Sequence, residues 1–195
     1  MKILAATNNK GKLKELKAML SPYAEVVSLA DAGIFEDVEE TGKTFKENAA
    51  IKAEFAYKIS HIPTIADDSG LAVDALNGEP GVYSARYAAI NGFDGHIIDC
   101  LLEKLKGIQD RTARFKCCLC FVDENGEEHF FEGETEGSIL EQRDGENGFG
   151  YDPVFFSKDL NKSFGTADPE EKDAISHRGR AIQKFLKYVE QTYGK

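Results

Sequence analysis

The sequence predicts an α/β protein built on an elongated, mixed β-sheet flanked by helices. Three observations carry this prediction. The first third of the chain alternates short apolar runs with segments of helical periodicity, the pattern of a partly parallel sheet. The middle carries consecutive strand-like runs around an Asn-Gly turn at Asn125 and Gly126, the pattern of antiparallel pairing. No Pro, Gly or Ser tract, internal repeat or linker breaks the chain, so residues 1–195 are expected to form a single domain of two lobes around one cleft.

Taken in order, "KILAAT" is a short apolar strand that runs into the polar turn "NNKGK". In "KLKELKAML", Leu13, Leu16 and Leu20 recur at helical spacing, and "AEVVSL" reads as a second strand. The segment "FKENAAIKAEFAYKI" predicts a long helix with Phe45, Ala49, Ala53, Ala56 and Ile59 on one side. The strand "PTIAD" follows. It is expected to end at Asp67 and Asp68, because strand interiors disfavour Asp and the next residues are Ser69 and Gly70. "GHIIDCLLEKLKGI" predicts an amphipathic helix, and the run from Ala113 to Gln142 the antiparallel strands. Asp168 is placed to cap a helical turn opened by Pro169, Glu170 and Glu171. Ser176 begins a last helix with Ile182, Phe185, Leu186 and Val189 as its apolar stripe. A cleft between the α/β part and the hairpin part is the natural ligand site.

A formal net charge of −10 argues against nonspecific nucleic-acid or anionic-membrane partners, which need a basic footprint. Any anionic ligand must therefore meet a local cluster of Lys and Arg. The apolar runs are too short for a membrane span or a signal peptide, which predicts a soluble, cytoplasmic protein. Cys100, Cys117, Cys118 and Cys120 lack the two spaced pairs of a zinc site and are expected to be reduced, buried strand residues.

Five polar clusters carry the chemistry. The turn Thr7, Asn8, Asn9, Lys10, Gly11 and Lys12 sits where a strand feeds a helix, a place suited to phosphate oxygens, with Lys10 or Lys12 adding charge. Glu39 and Glu40 precede a Thr-Gly turn. Asp67 and Asp68 repel each other unless a cation neutralises them, and one or two Asp with a Glu from elsewhere make an adequate magnesium site. In "GENGFGYDP", the glycines around Phe149, Gly150, Tyr151 and Asp152 allow close backbone approach, and the aromatics offer stacking faces. Lys172, His177, Arg178 and Arg180 gather around a helix start, where they suit an anion or a carbonyl oxygen. Separately each cluster has an ordinary structural reading. Together they match the needs of nucleotide phosphate chemistry.

The motifs "TNNKGKLKE", "EETGKTFKENA", "ADDSGLAVDAL", "GEPGVYSARYA", "GFGYDPVF" and "AISHRGRA" resemble, in order and spacing, the inosine triphosphate pyrophosphatase family, also called dITP/XTP pyrophosphatases. The resemblance implies an elongated α/β fold with a central nucleotide-binding cleft, a homodimer, and magnesium-dependent hydrolysis of noncanonical purine nucleoside triphosphates to monophosphate and pyrophosphate. It places Thr7, Asn9 and Lys12 on the triphosphate turn, and Glu40, with Glu39 as the alternative, and Asp68 on the metal. Asp68 is also implied as the general base. Ser69 falls on a substrate contact, Phe149 to Asp152 on the base pocket, and Lys172, His177 and Arg178 on further nucleotide contacts. Lys12 and Lys172 are expected to stabilise charge on the leaving pyrophosphate. Asn8 and Asn147 stand where Gly is common in the family, and Asn tolerates left-handed backbone. The competing readings are a noncatalytic nucleotide sensor with the same pocket, and a pyrophosphatase for modified pyrimidine or ordinary triphosphates.

Overall fold

The computed structural model describes residues 1–194. The elements are β1 (Lys2–Ala5), α1 (Lys10–Leu20), β2 (Glu25–Ser28), α2 (Phe45–Ser60), β3 (Thr64–Val73), α3 (Tyr87–Ile90), α4 (Ile97–Lys104), β4 (Thr112–Val122), β5 (Glu128–Ile139), β6 (Phe155–Ser157), β7 (Lys162–Ser163), α5 (Pro169–Ile175) and α6 (His177–Tyr193). The strands form one open sheet in the order β2-β1-β3-β4-β5-β6-β7. β1 pairs in parallel with β2 and with β3, whereas β5 with β6 and β6 with β7 are antiparallel. The sheet is thus mixed, parallel where the sequence alternates strand and helix.

The chain divides into two compact units. The first comprises Met1–Asp68, Cys117–Glu132 and the chain from Arg178 onward. Its apolar residues alternate between two clusters with the period of a pleated strand. Ile3, Ala5, Ile65, Cys117, Leu119 and Phe121 pack with Leu16 and Leu20 of α1 and with Ala181, Ile182 and Phe185 of α6. Leu4, Ala6, Ala66, Cys120 and Val122 pack with Ala49, Ala53 and Ala56 of α2. Inside this unit the sheet therefore has α1 and α6 on one face and α2 on the other. The second unit, Ser69–Lys116 and Gly133–His177, is built around Leu71, Val73, Tyr87, Leu101, Phe115, Phe155 and Phe164.

Two expectations are corrected. β3 does not end at the aspartates but runs through them to Val73. The stripe of α2 closes at Ala56, since Ile59 is 46% exposed, and near the helix start the polar Asn48 is buried. α2 then stops at His61, a left-handed residue whose N–H donates to the Tyr57 carbonyl. The four cysteines are free and buried, as expected.

Candidate active site

Adjacent residues of a strand point to opposite faces, and this separates the two aspartates. Asp67 follows the parity of Ile65 toward α1 and α6, and Asp68 that of Ala66 toward α2. The acidic pair is tolerated inside β3 because cations lie on both faces, Arg178 and Lys12 beside Asp67 and Lys52 beside Asp68.

On the Asp67 face charge is balanced. Arg178 donates from Nε and Nη2 to Asp67 Oδ2 at 3.2 and 3.0 Å, and from Nη1 to Glu15. Lys12 Nζ lies 3.4 Å from the same Asp67 oxygen, and the Cys117 thiol 3.9 Å. Burial alone would raise the Asp67 pKa, but Lys12, Arg178 and Lys52 overcome it and hold the carboxyl far below its ordinary range. Burial likewise opposes the charge on Arg178, and Asp67 and Glu15 reverse that effect. Arg178, expected as a nucleotide contact, is 1% exposed and braces α6 to β3 and α1. The turn before α1 is held by local bonds: Asn9 N–H donates to Thr7 Oγ1, and Asn9 Oδ1 caps the helix by accepting from Lys12 N–H. Asn8 and Lys10 are exposed, and Thr7 and Gly11 half-buried.

On the Asp68 face charge is less well balanced. Lys52 of α2 donates to the Asp67 carbonyl at 2.6 Å and lies 3.2 Å from Glu40 Oε1 and 3.7 Å from Asp68 Oδ1. Asp68 Oδ2 is buried with no hydrogen-bond partner among the described residues. Burial raises the Asp68 pKa, Lys52 and Lys12 partly offset this, and Glu40 and Asp67 raise it further, to about 6. Burial disfavours the Lys52 ammonium, yet Asp67, Asp68 and Glu40 together push its pKa up. Of the two glutamates, Glu40 faces this group, while Glu39 is exposed. Lys52 was missed in the sequence. Its only signal is a lysine on the alanine-rich, buried side of α2, one turn after Asn48.

The other predicted residues belong to the second unit. Lys172 Nζ sits 2.7 Å from Asp152 Oδ2 and over the Phe149 ring at 4.8 Å. The same Asp152 oxygen accepts from the Phe149 N–H at 2.9 Å. A Cβ at Gly148, where φ is +73°, would lie 2.1 Å from that oxygen, so the turn requires glycine. Phe149 is half-buried and Gly150 exposed. The Tyr151 ring is buried and its hydroxyl donates to the Ser84 carbonyl at 2.6 Å. His177 is buried and stacks on Phe115, with ring centroids 4.7 Å apart. Lys172, expected beside the leaving group, is placed with Phe149 and Asp152. Ser69 is half-buried directly after Asp68 in β3.

The residues so placed define a class: an open α/β sheet carrying a buried acidic group with one under-compensated carboxylate, beside a helix-start turn rich in Asn and Lys. The chain belongs to the Ham1 family, whose model matches residues 3–188. It is 48% identical over 190 residues to a dITP/XTP pyrophosphatase of Bacillus subtilis (strain 168), covering 96% of each chain. It is 49% identical over 186 residues to one of an Exiguobacterium species, covering 95% of each. Among solved structures, the Staphylococcus aureus Ham1 protein superposes with a TM-score of 0.85 at 43% identity, over 98% of this chain and 99% of that one. A HAM1 protein from Coxiella burnetii gives 0.86 at 38% identity, over 98% and 100%.

Proposed function

We infer that this protein hydrolyses noncanonical purine nucleoside triphosphates, ITP, dITP and XTP, to the monophosphate and pyrophosphate, and so cleanses the nucleotide pool. The observation that carries the reading is Asp68. It is a buried carboxylate with an unpartnered oxygen and a pKa of about 6, set beside Glu40 in a chain of the Ham1 family. A divalent cation fits this group, because oxygen donors of like charge need positive charge and one oxygen lacks a donor. Glu40 and Asp68 would hold it, and magnesium is the ion we propose. When bound, the ion supplies charge neutralisation at the phosphate oxygens.

The remaining chemistry falls to the chain's own groups. Asp68 orients a water and accepts its proton as the water attacks the α-phosphorus, which releases pyrophosphate. Lys52 offsets negative charge at Asp68 and Glu40 and holds both in place. Lys12 and the turn from Thr7 to Lys12 take the triphosphate, the Lys12 ammonium offsetting charge that develops on the leaving group. Phe149 offers a face to the base, and the Lys172 ammonium and backbone N–H groups are donors for the acceptor oxygen that hypoxanthine and xanthine carry at position 6. Adenine presents an amino donor there, so donor would meet donor. We also propose that the protein acts in the cytoplasm and that it is a homodimer. Exposed Tyr83 and Ile90 support apolar self-contact. No helix among the described residues is long and apolar enough to cross a membrane.

The test is pyrophosphate release from ITP, dITP, XTP, GTP, ATP and CTP with magnesium. ITP or XTP is expected far above ATP in kcat/KM. Equal values for ITP and ATP would favour a general nucleotide pyrophosphatase, and binding without turnover a sensor.

A further inference from the structure

The loop that carries Glu40 has no regular secondary structure up to the start of α2, yet its carboxylate must be held near Asp68. Two side chains of α2, one helical turn apart on the same side, grip it. Lys52 holds Glu40 at 3.2 Å. Asn48, 1% exposed beside the buried Ala49, accepts at Oδ1 from the Gly42 N–H at 2.7 Å. Gly42 packs so closely against the helix start that a Cβ there would lie 2.5 Å from Asn48 Oδ1 and 2.7 Å from Glu47 Cβ. The loop is fixed again just beyond, where Lys43 N–H donates to Glu47 Oε2 at 2.6 Å.

A buried asparagine has to be explained, because the same position would pack as an alanine like Ala49, Ala53 and Ala56 beside it. We propose that Asn48 is a positioning residue for the metal site: by anchoring the Gly42 amide, two residues after Glu40, it sets where the Glu40 carboxylate stands relative to Asp68. The proposal rests on the reading of Glu40 as a metal ligand. Lys52 alone is a long side chain that can follow a displaced carboxylate. The short, buried Asn48 cannot follow, so the backbone distance is set by its contact. Residues that orient ligands in this way change metal affinity by about 10- to 100-fold when removed.

The test uses the full-length, metal-stripped protein and manganese(II) alone, its free concentration read by electron paramagnetic resonance. Four proteins are compared: unmodified, Glu40→Gln, Asn48→Ala and Gly42→Ala. Gly42 is not in the left-handed region, so alanine is allowed by the backbone there and acts through the close approach of its Cβ to Asn48 Oδ1 and Glu47 Cβ. Asn48→Ala and Gly42→Ala are each expected to weaken manganese binding by about 10-fold or more. The manganese concentration for half-maximal ITP turnover should rise in parallel, with a smaller change in turnover at saturating metal. Should Asn48→Ala fail to fold, Gly42→Ala decides alone. Weakened binding in Glu40→Gln with unmodified affinity in the other two would overturn the positioning role. Unmodified affinity in Glu40→Gln would overturn the ligand reading, and the proposal with it.

Discussion

The two faces of β3 carry the same side chain one residue apart and put it to opposite uses. Asp67 is fully buried among Arg178, Lys12 and Cys117, and its carboxyl is held ionised. Asp68 is nearly as buried, and each aspartate has one oxygen without a hydrogen-bond partner among the described residues, but Asp68 has only Lys52 at 3.7 Å and a second acid, Glu40, close by. The first arrangement spends its charge inside the fold. The second leaves negative charge unbalanced, which favours a cation and a proton. Burial by itself therefore does not mark a reactive carboxylate; the balance of nearby charge does.

The comparison breaks most sharply if the two aspartates are changed one at a time. Asp67→Asn leaves the Arg178 guanidinium buried with its main counter-charge gone, and removing one partner of a buried pair costs about 3 to 5 kcal/mol. Urea unfolding should show a loss of this size, with activity falling in proportion to the folded fraction. Stability within about 1 kcal/mol of the unmodified protein would mean that Glu15 alone satisfies Arg178.

Asp68→Asn should act in the reverse sense. Turnover of ITP should fall by about 100-fold or more, equivalent to about 2.7 kcal/mol of barrier, while the metal-free protein becomes more stable at neutral pH. The sign follows from linkage. The carboxyl titrates at 3.8 when unfolded and at about 6 when folded, so the native state binds more protons in that window. Its contribution to stability is fullest below pH 3.8 and declines as pH rises toward about 6. The stability gap between Asp68→Asn and the unmodified protein in chelator should thus widen across that window and flatten above it. A gap that does not change with pH would remove the charge imbalance from the account.

Much of this was legible in the sequence. The strand and helix order of the first third, the Asn-Gly turn and the last helix follow from periodicity and turn chemistry, because those signals are local. The six motifs carried the family resemblance for the same reason, and the family is the one the chain belongs to. What could not be read was which face each carboxylate takes. Asp-Asp-Ser-Gly looks like a strand end when only propensity is weighed, and β3 continues because Lys12, Arg178 and Lys52 arrive from α1, α6 and α2. That Arg178 bonds Glu15, 163 positions away, also leaves no sign in the sequence, because the pairing is made only by the fold. Lys52 and Asn48 were hidden as polar residues in an amphipathic helix, where a solvated face is the ordinary expectation.

The second unit offers a milder contrast between grip and choice. Phe149→Ala should cost about 1 to 3 kcal/mol of nucleotide binding, the range for base-aromatic stacking, with little change in stability because the ring is only half-buried. Lys12→Ala should weaken all triphosphates alike and lessen the salt dependence of binding, since a lysine reads charge and not the base. Competition binding with ITP and ATP at two ionic strengths separates the two. A change in the ITP to ATP ratio in Lys12→Ala larger than its loss of overall affinity would place the α1 turn at the base instead.

The smallest expected effect sharpens the Asp68 face itself. Thr44, four residues beyond Glu40, caps α2 by accepting from the Glu47 N–H at 3.1 Å, whereas the Gly42 N–H donates to Asn48 Oδ1. Thr44→Ala should lower stability by about 1 kcal/mol, the usual loss of an N-cap, and so lower Tm by roughly 2 to 4 °C for a chain of this size. If the Glu40 segment is held chiefly at Gly42, manganese affinity in Thr44→Ala should stay within about 2-fold of the unmodified protein, well short of a 10-fold orienting effect. Calorimetry together with the manganese titration tests both parts. A loss of metal affinity in Thr44→Ala as large as in Asn48→Ala would mean that the loop answers to the stability of the helix start as a whole and not to one anchored amide.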